Sequence, residues 1–218
     1  FYQTGFTQRH NASVEGGTDA LSVRTSLSYV DQNGVIPGTD YKTINLRLNG
    51  TAKVSDKIQT VASLNLISSK TNKTYKGSGS PMLSVLTWPL VDDITNRYTE
   101  TGGRRTITGS NSAELDNPIW AMENNPNWDK VNRILSNVGV TYKPTNWLSF
   151  QANAGMDVYT MQGLAAYHPE SYSANFSGNT NVGGGINTFS ENSVMYNAAI
   201  VGTAKKTFGK FSPVLRIG

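Results

Sequence analysis

Residues 148–158 read LSFQANAGMDV, and this stretch decides the fold class. Leu148, Phe150, Ala152, Ala154, Met156 and Val158 alternate with Ser149, Gln151, Asn153, Gly155 and Asp157. A period of two marks a β-strand whose two faces meet different surroundings. Soluble strands average only about 5–6 residues, whereas a tilted strand crossing a bilayer needs about 9–11. The run from Leu148 to Val158 has the second length. Its apolar face mixes Ala with Leu and Phe, which suits a lipid surface with no complementary shape to fill.

The same alternation recurs on both sides of this stretch. In VRTSLSY (23–29), Val23, Thr25, Leu27 and Tyr29 oppose Arg24, Ser26 and Ser28. Ile44, Leu46 and Leu48 oppose Asn45 and Arg47; Leu64 and Leu66 oppose Ser63 and Asn65; Val138, Val140 and Tyr142 oppose Asn137, Gly139 and Thr141. Eight strands are expected, roughly over 6–16, 21–31, 41–54, 58–69, 131–143, 147–165, 187–207 and 210–218. Leu27, Leu46, Leu64, Leu66, Val140 and Phe150 are the candidate lipid-facing residues. Arg47 and Asp157 are expected on the opposite, lumenal side, holding a plug or lining the wall.

The joins between these strands are sorted by length. GGTDA, SDK, KPTN and FGK are short; QNGVIPGTD is medium; a stretch of about 70–130 and another of about 20 residues are long. Short and long joins alternate along the chain. Outer-membrane barrels have short periplasmic turns and long extracellular loops, so every second join must be short. Aromatics stand beside the short turns, Tyr142 and Trp147 at one, Phe208 and Phe211 at another. That suits an aromatic girdle at one bilayer interface.

Composition narrows the function classes. The 218 residues carry a formal charge of +4, and the 19 basic residues are scattered rather than gathered into a nucleic-acid footprint. There is no Cys for disulfides or thiolate zinc sites. Mean hydropathy is −0.38 and no run of about 18 apolar residues occurs, so no transmembrane helix is expected. A barrel remains open, because half of each of its strands faces water. The chain is read as a piece of a longer protein, without a signal peptide.

Nothing in the sequence assembles a catalytic constellation or a cofactor site, and no enzyme is expected. His10 and His168 are the only histidines, and Glu170 near His168 reads as part of a polar loop. Asp92–Asp93 lacks the spaced acids of a calcium loop. Gly183–Gly185 is not followed by the GK[ST] of a phosphate loop. The long loop is the place for ligand chemistry. It carries Trp88, Tyr98, Arg104, Arg105, Trp120 and Trp128, residue types that stack on sugars and anchor peptides or protein partners. The alternative is that these side chains form the loop's own small core or the seam with a lid. Ser80 before Pro81 predicts a capped helix ended by Pro89, and NPIWAMENNP (117–126) allows another helical turn.

Four stretches taken together resemble the SusC/RagA family of TonB-dependent outer-membrane transporters. They are TGFTQRHNASVEGGTDALSVRTSLSYVDQNGVIPGTDYKTINLRLN (4–49), KVSDKI (53–58), DNPIW (116–120) and NVGVTYKPTNWLSFQANAGMDVY (137–159). The order of HNASVEGGTD and SLSYVDQNGVIPGTDYK is the most specific part. The resemblance implies an all-β, antiparallel transmembrane β-barrel of 22 strands, of which these residues form about eight early ones. It also implies a multi-pass protein of the bacterial outer membrane, in contact with its lipid. A SusD-like surface lipoprotein would cap it, and the TonB complex would engage it through a plug region absent from these residues. The expected function is energised import of an oligosaccharide or peptide; the alternative is a passive porin or a structural or adhesive barrel.

Overall fold

The computed structural model describes residues 1–77, 80–107, 115–172 and 183–218. Its frame is one eight-stranded antiparallel sheet in which each strand pairs with the next along the chain. The strands are β1 (Phe6–Gly17), β2 (Leu21–Asn33), β3 (Asp40–Ser55), β4 (Ile58–Asn72), β5 (Asn127–Thr145), β6 (Leu148–Tyr167), β7 (Gly185–Lys205) and β8 (Val214–Ile217). Two short helices, α1 (Pro81–Thr87) and α2 (Pro118–Asn124), lie in the join between β4 and β5. No helix among the described residues is long and apolar enough to cross a membrane, which leaves strands free to do so.

Register converts the sequence alternation into two continuous surfaces. Direct pairing aligns Ala12, Leu27, Leu46, Leu66, Ile134, Val158 and Val194 across seven strands. Every member of that row is apolar. The adjacent row through Leu48, Leu64 and Met156, and those through Val140 and Phe150, lie on the same face. The six candidate lipid-facing residues therefore share one side of the sheet. The opposite side carries the row Ser13, Ser26, Arg47, Asn65, Leu135, Asp157 and Met195, with Asp157 paired bidentately to Arg133 at 2.9 and 2.5 Å. A slip of one residue would exchange the two surfaces completely.

Among the described residues, no layer packs against either face of the sheet. The buried apolar side chains among the described residues are Pro81 of α1 and Pro118, Trp120 and Ala121 of α2. Leu27, Ile44, Val138, Val140, Phe150 and Val194 stand exposed on the apolar face.

Two details differ from the sequence expectation. β5 starts at Asn127, four residues before the expected 131, because the polar run Asn127–Lys130 continues the ladder with Asn72–Lys70 of β4. β8 pairs only over Val214–Ile217, while Phe208 and Phe211 close a small hairpin of their own. The joins 18–20, 56–57, 146–147 and 206–213 gather at one end of the sheet; the first three are short, and the last, expected as the three-residue FGK turn, is eight residues because β8 pairs only from Val214. The joins 34–39, 73–126 and 168–184 gather at the other, and residues 78–79, 108–114 and 173–182 of these lie outside the described set.

Candidate ligand- and partner-contacting site

The join 73–126 folds on a small scaffold of its own. Ser80 caps α1 by accepting from the Met82 amide at 3.1 Å, and Pro81 fills the first turn, where no amide is needed. The helix stops at Thr87, with Trp88 extended, just before Pro89. Asn117 caps α2, its Oδ1 accepting from the Ile119 and Trp120 amides at 2.9 and 3.1 Å. The Asn117 amide nitrogen donates to the Ile94 carbonyl at 2.8 Å, so the cap also fixes the preceding strand of loop.

Beneath α2 lies a buried polar node. Asp116 accepts from Arg104 Nη1 at 3.1 Å, from Ser171 Oγ at 2.5 Å and from the Tyr172 amide at 2.8 Å. Ser171 accepts in turn from Asn125 Nδ2 at 2.9 Å, and Asn125 Oδ1 accepts from the His168 amide at 2.8 Å. The Arg104 amide donates to Glu170 at 2.7 Å. Trp120 meets His168 edge-on at 5.3 Å, and Tyr75 stacks on Tyr167 at 4.3 Å while donating to the Ala166 carbonyl. Burial, with the neighbouring Tyr167, raises the Tyr75 hydroxyl pKa well above its ordinary value. These contacts join the β4–β5 loop to the β6–β7 loop. The turn Ile36–Thr39 sits close by: a Cβ on Gly38, whose φ is +76°, would lie 3.6 Å from Met122 Cε of α2.

The sequence candidates divide between this scaffold and its surface. Trp120 is 1% exposed, and the Arg104 side chain is 7% exposed against a fully buried Asp116, so both serve the loop's own core. Arg105 Nη2 and Trp88 Nε1 share Asp92 Oδ2, at 2.5 and 3.1 Å. Asp93 accepts from the amide and hydroxyl of Thr95, which lower its pKa. The two aspartates weighed as a calcium pair are thus engaged within their own chain. Tyr98 stays exposed and donates to Glu123 at 2.9 Å, beside the bidentate Arg97–Glu123 pair at 2.7 and 2.8 Å. The Arg97 guanidinium, and then Tyr98, hold the Glu123 carboxyl below its usual range. Trp128 is not in the loop: it is the second residue of β5, on the apolar side of the sheet, with Lys70 Nζ 5.5 Å from its ring centre.

Sequence reasoning missed Asp116, Asn125 and Ser171, which carry no motif and meet only in three dimensions. What remains available for a partner is the partly exposed Trp88, exposed Tyr98, and Leu86, Leu90 and Val91, the last two bare of contacts. An aromatic and aliphatic surface with one ion pair is the composition of a recognition surface rather than of a reactive centre. Among the described residues, no group of three or more acids or histidines is placed to hold a metal.

No family model matches the chain. Over 139 residues it is 24% identical to a protein of Formosa agariphila named TonB-dependent receptor P26; the match covers 63% of this chain and 13% of that protein. It also superposes on the RagAB peptide importer in its closed-closed and open-open states, with TM-scores of 0.72 and 0.73 and identities of 17% and 18%. Those matches cover 93% and 96% of this chain but 22% and 23% of the importer chains, so the chain spans less than a quarter of either. Both comparisons bear out the resemblance read from the sequence. The chain has the fold of a partial, antiparallel segment of a SusC/RagA-type barrel.

Proposed function

We propose that this barrel segment is part of the wall and mouth of a TonB-dependent outer-membrane importer for peptides or oligosaccharides. The observation that carries the reading is the row from Ala12 to Val194, apolar at each of seven strands, backed by a mostly polar face and with the two longest joins, 73–126 and 168–184, at the same end. A sheet that leaves such a face uncovered is stable where the surroundings are hydrocarbon. The relatives' names add the direction of traffic: one is called a TonB-dependent receptor, the other a peptide importer.

In this reading the barrel performs no bond chemistry. Arg47, Asn65, Asp157 and their neighbours form a hydrated inner wall. The joined loops, with Trp88, Tyr98, Arg104 and Arg105, form the outer mouth, where a SusD-like lipoprotein would seat as a lid. Arg104 supports that mouth from within, whereas Trp88 and Tyr98 offer contact. Energy coupling resides in a plug outside these residues.

The test uses the full-length protein in cells lacking other importers. Uptake of a peptide or oligosaccharide mixture should stop when TonB is removed. Uptake that continues without TonB would identify a passive pore. Deleting residues 75–125 should abolish uptake while leaving the barrel inserted, and a pull-down then separates the loop's roles. Lost lipoprotein binding marks the lid seam, and retained binding marks a ligand contact.

A further inference from the structure

On the apolar side of the sheet, register sets Lys42 of β3 directly opposite Lys70 of β4, and Lys70 directly opposite Lys130 of β5. Like charges facing one another across strands are destabilising unless an anion lies between them. Of these three lysines only Lys42 has a carboxylate partner among the described residues, Asp31 at 3.4 Å. Asp40, one row farther out, is held by Asn72 Nδ2 at 2.7 Å. Lys70 leans over the Trp128 ring. The three ammonium groups border a groove of about 460 Å³, whose lining includes Tyr29, Ile44 and Trp128.

The height of this row on the sheet matters most. Ile58 pairs with the aromatic couple Tyr142 and Phe150 in the row beside the short turns, and Lys70 lies twelve residues along β4 from Ile58. At about 3.3 Å per residue and a tilt of about 40°, that is about 30 Å of height, against an apolar belt of about 25 Å. The lysines therefore emerge where the hydrocarbon ends on the long-loop side, with Leu46 and Leu66 of the apolar row four residues below them.

We propose that Lys42, Lys70 and Lys130 form a binding site for the phosphorylated headgroup of an outer-leaflet lipid, whose acyl chains run down over Ile44, Leu46 and Leu66. The site rests on the membrane reading of the sheet. It needs no energy coupling and no substrate, and it anchors the barrel to one leaflet at β3–β5.

The experiment compares full-length protein with the triple variant Lys42→Gln/Lys70→Gln/Lys130→Gln, each purified from its own outer membrane. Bound lipid is measured by phosphate analysis and native mass spectrometry. The protein should retain phosphorylated lipid, and the variant should hold it about a hundredfold more weakly, as three lysines near an anionic surface predict. A control changing Lys53, Lys57 and Lys143, which lie at the short-turn end, should retain the lipid. Equal retention by the triple variant overturns the site, as does displacement of the lipid by inorganic phosphate alone. Binding of an acidic soluble peptide in place of lipid overturns it as well. Quenching by brominated lipid is read in the same proteins carrying Leu64→Trp: quenching with no retained lipid rejects this site only, while absent quenching rejects the membrane reading itself. Heat-modifiable gel mobility confirms that each variant is folded.

Discussion

Arg104 and Asp116 form an ion pair at 3.1 Å whose two side chains are 7% and 0% exposed. The pair is buried beside Ser171, which belongs to a different loop. Removing one member leaves a charge in a site closed to water, which costs about 3–5 kcal/mol. Asp116→Ala should therefore loosen both long loops, seen as faster proteolysis between 73 and 126 and altered Trp120 fluorescence. The barrel should still insert. Unchanged proteolysis would show that the node does not hold the loops.

Leu64 lies midway along β4 between Ile58 and Lys70, on the apolar face, and Asn65 points the other way. Leu64→Arg should cost about 2–4 kcal/mol of barrel stability in a bilayer, and Asn65→Arg much less. Urea unfolding in lipid vesicles measures both. Equal costs would contradict the assignment of faces.

Sidedness follows from the sorting of joins. A cysteine replacing the fully exposed Val91 should react with an impermeant maleimide on intact cells. One replacing Asp56, exposed in the β3–β4 turn, should react only after the outer membrane is opened. The reverse pattern would invert the topology.

Acid should weaken the mouth in a defined window. Glu123 has a lowered pKa because Arg97 and Tyr98 bond its charged form. Its contribution is complete above the ordinary carboxylate pKa and is lost as pH falls through the lowered value. Proteolysis of the loop should therefore rise below the usual carboxylate range. Glu123→Gln should give a loop that is looser at neutral pH and shows less of this acid response.

The strands were legible because alternation is a local property: each residue's neighbours two places away declare its face. Val23, Leu27, Leu46, Leu66 and Phe150 could be assigned in this way. β5 was read too short because Asn127, Trp128, Asp129 and Lys130 carry no apolar alternation, and only their pairing with β4 makes them strand. The same run hid Trp128's place on the sheet. The buried node was illegible for another reason. Asp116, Asn125 and Ser171 are ordinary polar residues up to 55 positions apart, and their burial depends on a loop fold that no periodicity announces. The lysine row likewise appears only once three strands are set in register.

The strict neighbour-to-neighbour strand order has a consequence for how the sheet is built. Each strand can be laid onto the one just completed, and most joins bring the next strand back after only a few residues. The step from β4 to β5 is the largest exception, because residues 73–126 must be looped out first. Closing a loop of 54 residues rather than the two of the β3–β4 turn costs about 3 kcal/mol more in chain entropy. A loop that has already formed α1, α2 and the contacts among Asn117, Ile94 and Trp120 is shorter in effect and brings Asn127 back toward Asn72. The mouth of the barrel would thus act during assembly as a splint, guiding the fifth strand to its edge.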